Sequence, residues 1–228
     1  MANVICLDFD DTVICNNLTR AVLEAFAAGE WREDEARYER GEISVEQFNM
    51  AAFDRIEPDV TREQLESFAA TQAQPREGLL ELGDWATWHG WQVAVVSNGF
   101  DVAIDPVLDG LGMTRAPRHY GRTKKTYRWR VRYLSPRGIE IQRGFKVSYA
   151  EAFRNAGDFV VYVGDGASDV PAARMARRVF ARSTLLTQLE SMDPAPIPFE
   201  TFHDVIAVLN REAEAWLESF SSTTAGEG

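Results

Sequence analysis

Val4-Ile5-Cys6-Leu7-Asp8-Phe9-Asp10-Asp11-Thr12 lies near the front of a 228-residue chain and decides how the rest is read. An apolar, partly β-branched run stops abruptly at three carboxylates and a hydroxyl. A run so short and branched reads as a buried strand rather than a helix. In an open α/β sheet, ligands sit just outside the carboxyl ends of the strands, so these acids are expected to face a crevice. Neighbouring carboxylates repel, and each raises the others' pKa unless a cation lies among them. A hard divalent cation such as Mg²⁺, which prefers oxygen ligands and keeps open positions, resolves the conflict. The competing reading is an acidic turn in which Asp11-Thr12 caps a helix.

Two later stretches repeat the pattern. Val93 to Val96 is β-branched and reads as a buried strand, with Ser97 at its end and Asn98-Gly99 turning into a helix. A small hydroxyl and free amides at a helix start can hold an anion, although Ser-Asn-Gly is also an ordinary turn. Phe159 to Val163 is a third buried strand, ending in Gly164-Asp165-Gly166-Ala167-Ser168-Asp169. Glycines beside a carboxylate let the backbone approach a bound ion closely. The competing reading there is an Asp-Gly turn.

Between the first two strands, residues 14–74 read as a block of helices. Gly29 ends one, and Ser44 with Gln47 and Thr61 with Gln64 form capping boxes that start others. A helix over 78–88 carries Trp85 and Trp88, both expected to pack. Gly144-Phe145-Lys146 opens another helix, and Phe199 to Phe220 reads as an amphipathic closing helix. Residues 221–228 are small and polar and are expected to be disordered.

The chain is acidic, with a net charge of −11, which argues against non-specific binding to nucleic acid or anionic membrane. Ten Lys and Arg nevertheless crowd residues 115–143. Tyr127, Trp129, Val131 and Tyr133 alternate there with Arg128, Arg130 and Arg132, the period of a half-buried strand with a basic outer face. Ile139 and Ile141 predict a returning strand. The face either attracts an anionic substrate or acidic partner, or is a solvated surface balancing the acidic helices; the second reading is preferred. Two cysteines, Cys6 and Cys15, make no disulfide framework, so a reducing cytoplasm is the expected compartment. No basic leader precedes the first strand and no run matches a membrane span, so neither is expected.

Taken in order, Asp8-x-Asp10-x-Thr12, Ser97, Lys146 and Gly164-Asp165 with Asp169 resemble the four motifs of the haloacid dehalogenase (HAD) superfamily. The helices after the first motif resemble the cap of its phosphoserine phosphatase-like subgroup. The resemblance implies an α/β fold: a Rossmann-like parallel sheet over 1–13 and 75–220, with an α-helical cap inserted over 14–74. It implies that Asp8 is the nucleophile, forming an aspartyl-phosphate, and that Asp10 is the general acid/base. Mg²⁺ would be held by Asp8, the backbone carbonyl of Asp10 and Asp165, with Asp169 in or beside its shell. Thr12, Ser97, Asn98, Gly99 and Lys146 would contact the phosphoryl group. Asn17, Arg20, Arg37 and Arg40 of the cap are the candidates for reading the leaving group.

Phosphoserine phosphatases carry an acid early in the cap; Asn16-Asn17 stands at the comparable place. The run Asp165 to Ala173, then Val179-Phe180-Ala181-Arg182, then Phe199 to Asp204, instead resembles the MtnX-like phosphatases of methionine salvage. Their cysteine-containing turn before the lysine is replaced by Arg143-Gly144-Phe145. The expected activity is a Mg²⁺-dependent phosphomonoesterase acting on a small sugar-, polyol- or keto-phosphate, with no nucleic-acid or membrane partner. Two alternatives stay open: a phosphotransferase passing the phosphoryl group to an alcohol, and a non-catalytic binding module using residues 115–143.

Overall fold

The computed structural model describes residues 1–225. Eight strands form one sheet: β1 (Asn3–Leu7), β2 (Trp91–Phe100), β3 (Arg118–Lys125), β4 (Trp129–Leu134), β5 (Glu140–Ile141), β6 (Phe159–Gly164), β7 (Arg178–Ala181) and β8 (Ile197–Pro198), in the order β5-β4-β3-β2-β1-β6-β7-β8. The run from β3 to β8 is parallel, while β4 and β5 join antiparallel at one edge. The expected parallel sheet is therefore the centre of a mixed one. β1 is central because it is apolar on both faces, the mark of a strand covered by helices on each side. Leu7 pairs with Val95 of β2 and Val163 of β6, so the three strands end at one level.

The inserted helices are α1 (Leu18–Phe26), α2 (Trp31–Glu39), α3 (Val45–Phe53) and α4 (Arg62–Gln72). Both capping boxes form, at Ser44–Gln47 and Thr61–Gln64. Leu23, Trp31, Phe48 and Ala52 make a small core of their own among these helices. The chain leaves and re-enters side by side: Ile14 bridges Pro75, Cys15 N donates to Gln74 O at 2.7 Å, and Arg76 N to Val13 O at 2.9 Å.

The remaining helices are α5 (Leu79–Trp88), α6 (Asp101–Gly110), α7 (Phe145–Asn155), the single turn α8 (Val170–Ala173), α9 (Ser183–Gln188) and α10 (Phe202–Ala225). Trp85 packs and bonds Asn210 Oδ1 at 2.7 Å, but Trp88, expected to pack, is 86% exposed. α10 runs on through Ala225 instead of ending at Phe220. The Ser221 and Ser222 hydroxyls bond back to the carbonyls of Leu217 and Glu218, one turn earlier in the helix. Of the tail expected to be disordered, only 226–228 lie outside the described residues.

The basic segment builds β3, β4 and β5. Trp129, Val131 and Tyr133 point inward and the arginines outward, where Arg130 meets Asp54 at 3.2 Å and Arg132 meets Glu140 at 3.1 Å. Its inner edge clasps the insert: Lys125 Nζ and Trp129 Nε1 both donate to Val60 O, at 2.7 and 3.1 Å. Among the described residues no helix is long and apolar enough to cross a membrane.

Candidate active site

Asp8 follows β1 directly, and its amide continues the ladder to β6 by donating to Val163 O at 3.0 Å. Its Oδ1 accepts from the Phe9 amide and from Lys146 Nζ, both at 2.7 Å. The next residues form a wide turn over Phe9–Val13, in which Asp11 adopts a left-handed backbone (φ 57°). That turn brings Asp10 Oδ1 to 2.8 Å from the Leu18 amide, the first of α1. Burial pushes the Asp8 carboxyl well above the ordinary carboxylate range, and the charge on Asp169 adds to it while Lys146 opposes both. Burial likewise lifts Asp10 to about 6, against hydrogen bonds from Thr19 and Leu18. An acid near neutrality can both give and take a proton.

The end of β6 supplies the facing acids. A Cβ on Gly164 would lie 2.8 Å from Asp169 Oδ2, so only glycine allows that carboxylate to tuck under the strand. Asp169 is fully buried and fully used. Its Oδ1 accepts from Lys146 Nζ at 2.6 Å and Tyr162 Oη at 2.7 Å. Its Oδ2 accepts from the amides of Asp165 and Gly166 at 3.1 and 2.9 Å. Burial alone would raise Asp169, but Lys146 and these hydrogen bonds hold it below its ordinary value. Asp165 is more open; burial first, then Asp169, lifts it to about 6.

Asp8, Asp165 and Asp169 each offer an oxygen within 4.8 Å of the others. The donors are all hard oxygens; burial first and the Asp169 charge second push Asp8 and Asp165 up, and one ammonium does not offset three carboxylates. That charge deficit fits a hard divalent cation. Asp8 and Asp165 have coordination capacity to spare. Asp169 already accepts four hydrogen bonds and clamps Lys146 and the Asp165 loop, a place beside the expected metal shell.

Two phosphate-site expectations change. The Thr12 hydroxyl is buried away from the cavity and donates to Asp165 Oδ1 at 3.1 Å, so it orients the acid instead of meeting phosphate. Ser97-Asn98-Gly99 is not a turn into a helix: β2 continues to Phe100 and α6 starts at Asp101. The ladder to β3 breaks between Val96 and Phe100, and the Gly99 amide folds back onto Ser97 Oγ at 3.0 Å. Gly99 therefore lines the site without a free amide.

A cavity of about 250 Å³ lies over these groups. Its floor is Asp8, Asp10, Ser97, Asn98, Gly99, Lys146 and Asp165; its wall comes from the insert, including Asn17, Arg20, Leu23, Tyr38, Val45, Phe48 and Asn49. Of the four expected cap residues, Asn17 and Arg20 are there, Arg20 paired with Glu35 at 3.3 Å. Arg37 and Arg40 are not; they are tied up in exposed pairs with Asp34 and Glu42. Tyr38 and Phe48, missed in the sequence, stack at 5.8 Å. Val45, Phe48 and Asn49 share one face of α3 by their i, i+3, i+4 spacing, a legible signal whose direction only the fold supplies. Asn49 is 2% exposed and its Oδ1 has no hydrogen-bond partner. Arg76, also missed, is buried beneath the loop and donates to the carbonyls of Thr12, Asp11 and Glu200 at 2.7, 2.6 and 2.8 Å.

Acids on adjacent parallel strand ends, a buried lysine between them and a helical insert above are the arrangement of an α/β phosphoryl-transfer enzyme. The chain belongs to the haloacid dehalogenase-like hydrolase family, whose model matches residues 5–174. Within that family it is a phosphatase. It is 27% identical over 222 residues to the 2-hydroxy-3-keto-5-methylthiopentenyl-1-phosphate phosphatase of Bacillus velezensis, covering 94% of this chain and 93% of that one. It is 30% identical over 214 residues to the protein of the same name from Bacillus cereus (92% and 97% covered). Its fold is that of a substrate-bound phosphoserine phosphatase, with TM-score 0.65, 22% identity, and 92% of this chain and 98% of that chain covered.

Proposed function

We propose that this phosphatase is Mg²⁺-dependent and hydrolyses the phosphomonoester of a short hydroxylated keto chain with an apolar end, of the 2-hydroxy-3-keto-5-methylthiopentenyl-1-phosphate type. The observation that carries the reading is the divided cavity. Its floor is ionic, and the insert's side sets an apolar strip of Leu23, Val45 and Phe48 beside the polar Asn17, Arg20, Glu35 and Glu39, with Asn49 Oδ1 an acceptor that has no partner. An apolar wall suits a thioether or alkyl tail, and a buried acceptor without a donor favours a substrate hydroxyl. The relatives' names agree with that chemistry.

In the proposed reaction, an oxygen of Asp8 attacks phosphorus in line with the ester oxygen. The P–O ester bond breaks as Asp10 gives its proton to the leaving alcohol, and Asp8 carries the phosphoryl group. Water then attacks phosphorus, Asp10 takes its proton, and the Asp8–phosphorus bond breaks to release phosphate. Lys146, the Ser97 hydroxyl and Asn98 neutralise and orient the equatorial oxygens. Mg²⁺, held by Asp8, the Asp10 carbonyl and Asp165, would lower the repulsion between an anionic nucleophile and an anionic ester.

The test is a comparison of kcat/KM, with Mg²⁺, for that keto-phosphate, a sugar phosphate and phosphoserine. The keto-phosphate is expected to lead by about 10²-fold or more, the scale of a matched polar contact plus a filled apolar pocket. A lead for phosphoserine would overturn the substrate reading while leaving the phosphatase class intact.

A further inference from the structure

Glu46 is a buried carboxylate that the proposed reaction does not use. It lies in the first turn of α3, is 3% exposed, and does not line the cavity. Among the described residues no cation lies within ion-pair distance of it. An unpaired buried carboxylate is costly and is kept only where its hydrogen bonds matter.

Its Oε1 accepts two hydrogen bonds: from Asn98 Nδ2 of the phosphate floor at 3.2 Å, and from the amide of Phe145, next to Lys146, at 2.7 Å. Phe145 opens α7, and Lys146 is the next residue. Gly144 precedes them and offers no side chain to cap the helix. Glu46 thus supplies, from 99 positions away, an acceptor for an amide that the helix itself leaves unpaired. One turn along α3, Asn49 Nδ2 donates to Asn98 O at 2.7 Å and to Tyr133 Oη at 3.0 Å. Asn98 is therefore held by its side chain from Glu46 and by its main chain from Asn49. Ser44 Oγ seats the same helix on the core through Gln142 O at 2.5 Å.

We infer that Glu46 is a positioning residue for phosphoryl transfer: the insert carries the acceptor that fixes Asn98 and the start of the Lys146 helix. The phosphate floor is then complete only when α3 is seated against the core. This rests on the assignment of Asn98 and Lys146 to the phosphoryl group.

A merely structural tie and a positioning residue differ in what its loss does. Glu46→Met leaves the Asn98 side-chain amide and the Phe145 N–H without their acceptor, so some loss of stability is expected whichever role Glu46 has. The discriminating readout is therefore kcat, compared at a temperature well below the melts of both proteins. Its kcat on an aryl phosphate with Mg²⁺ is expected to fall roughly 10- to 100-fold, the scale of a misplaced reacting group. KM should move much less, and inhibition by orthovanadate should weaken in parallel. Glu46→Gln keeps an oxygen acceptor at the same reach and is expected to recover most of kcat. Parent-like kcat in Glu46→Met, or a loss that disappears when parent and variant are compared well below both melting temperatures, overturns the inference. If Glu46→Met does not fold, Glu46→Asp, one methylene too short, decides against Glu46→Gln: equal kcat in the two overturns it. Lys146→Ala is the control. Parent-like turnover there sinks the floor assignment itself, whereas an inactive Lys146→Ala beside an unaffected Glu46→Met sinks only the role of Glu46.

Discussion

At the scale of single residues, the site separates two aspartates by environment. Asp8 is gripped by Lys146 and buried beside Asp169, while Asp10 hangs from the first amide of α1. If Asp8 is the nucleophile, Asp8→Asn should lose about 10³-fold or more in phosphate release, since an amide oxygen is a far weaker nucleophile than a carboxylate. Near-parental turnover would reject the assignment. Asp10 should matter in proportion to the leaving group's need for a proton. Asp10→Asn is expected to cost an alkyl phosphate about 10²- to 10⁴-fold, and an aryl phosphate, whose phenolate departs readily, distinctly less. Equal losses on both esters would deny Asp10 the acid's role.

At the scale of elements, the strand ends were legible and the loops beyond them were not. Asp8 and Asp165 could be placed because a strand that stops at charged residues announces its own edge, whereas Lys146, at a helix start, was marked only by its place in the motif order. Ser97-Asn98-Gly99 misled because a broken ladder let β2 run on where the letters spell a turn. Thr12 was chemically sensible for phosphate but had been taken by Asp165. Thr12→Val, nearly isosteric in a fully buried site, should leave the fold intact and weaken Mg²⁺ activation about 10-fold, as loss of a ligand's supporting hydrogen bond does. An unchanged Mg²⁺ requirement would contradict that support. Arg76 fastens the turn after β1 to the loop before α10, and no local pattern announces it. Arg76→Met leaves three carbonyls short of a donor and should destabilise the fold by about 2–4 kcal/mol, read by denaturant melts. A midpoint within error of the parent would count against that stitching.

At the scale of the molecule, if Mg²⁺ binds as proposed, proton and metal would compete for one cluster. Asp10 and Asp165 are both lifted to about 6, above their unfolded values. The folded state then binds more protons than the unfolded chain between about pH 4 and 6. The metal-free protein therefore loses stability as pH rises through that window. Mg²⁺ needs the ionised acids, so its stabilising shift should be larger at about pH 7 than at about pH 5. Equal shifts in thermal melts at the two values would contradict the cluster's linkage to the ion. The sequence exposed this cluster through its motifs, and it exposed the insert through capping boxes. It did not expose Glu46, Asn49 or Tyr38 as parts of the site, because their meaning comes from which face of a helix the core presents to them. Arg37 and Arg40 show the converse: charge alone marked them, and the nearby acids Asp34 and Glu42 claimed them.

Ile14 and Pro75 stand side by side, so the four inserted helices hang from the core by two adjoining stalks. Such a joint invites module exchange, since a few residues would close the gap and another helical block could be spliced in without disturbing the sheet. A transplant would not be neutral, however. A foreign block lacking an acceptor at the position of Glu46 would inherit a nucleophile and an ill-held lysine, so specificity and rate would have to be redesigned together.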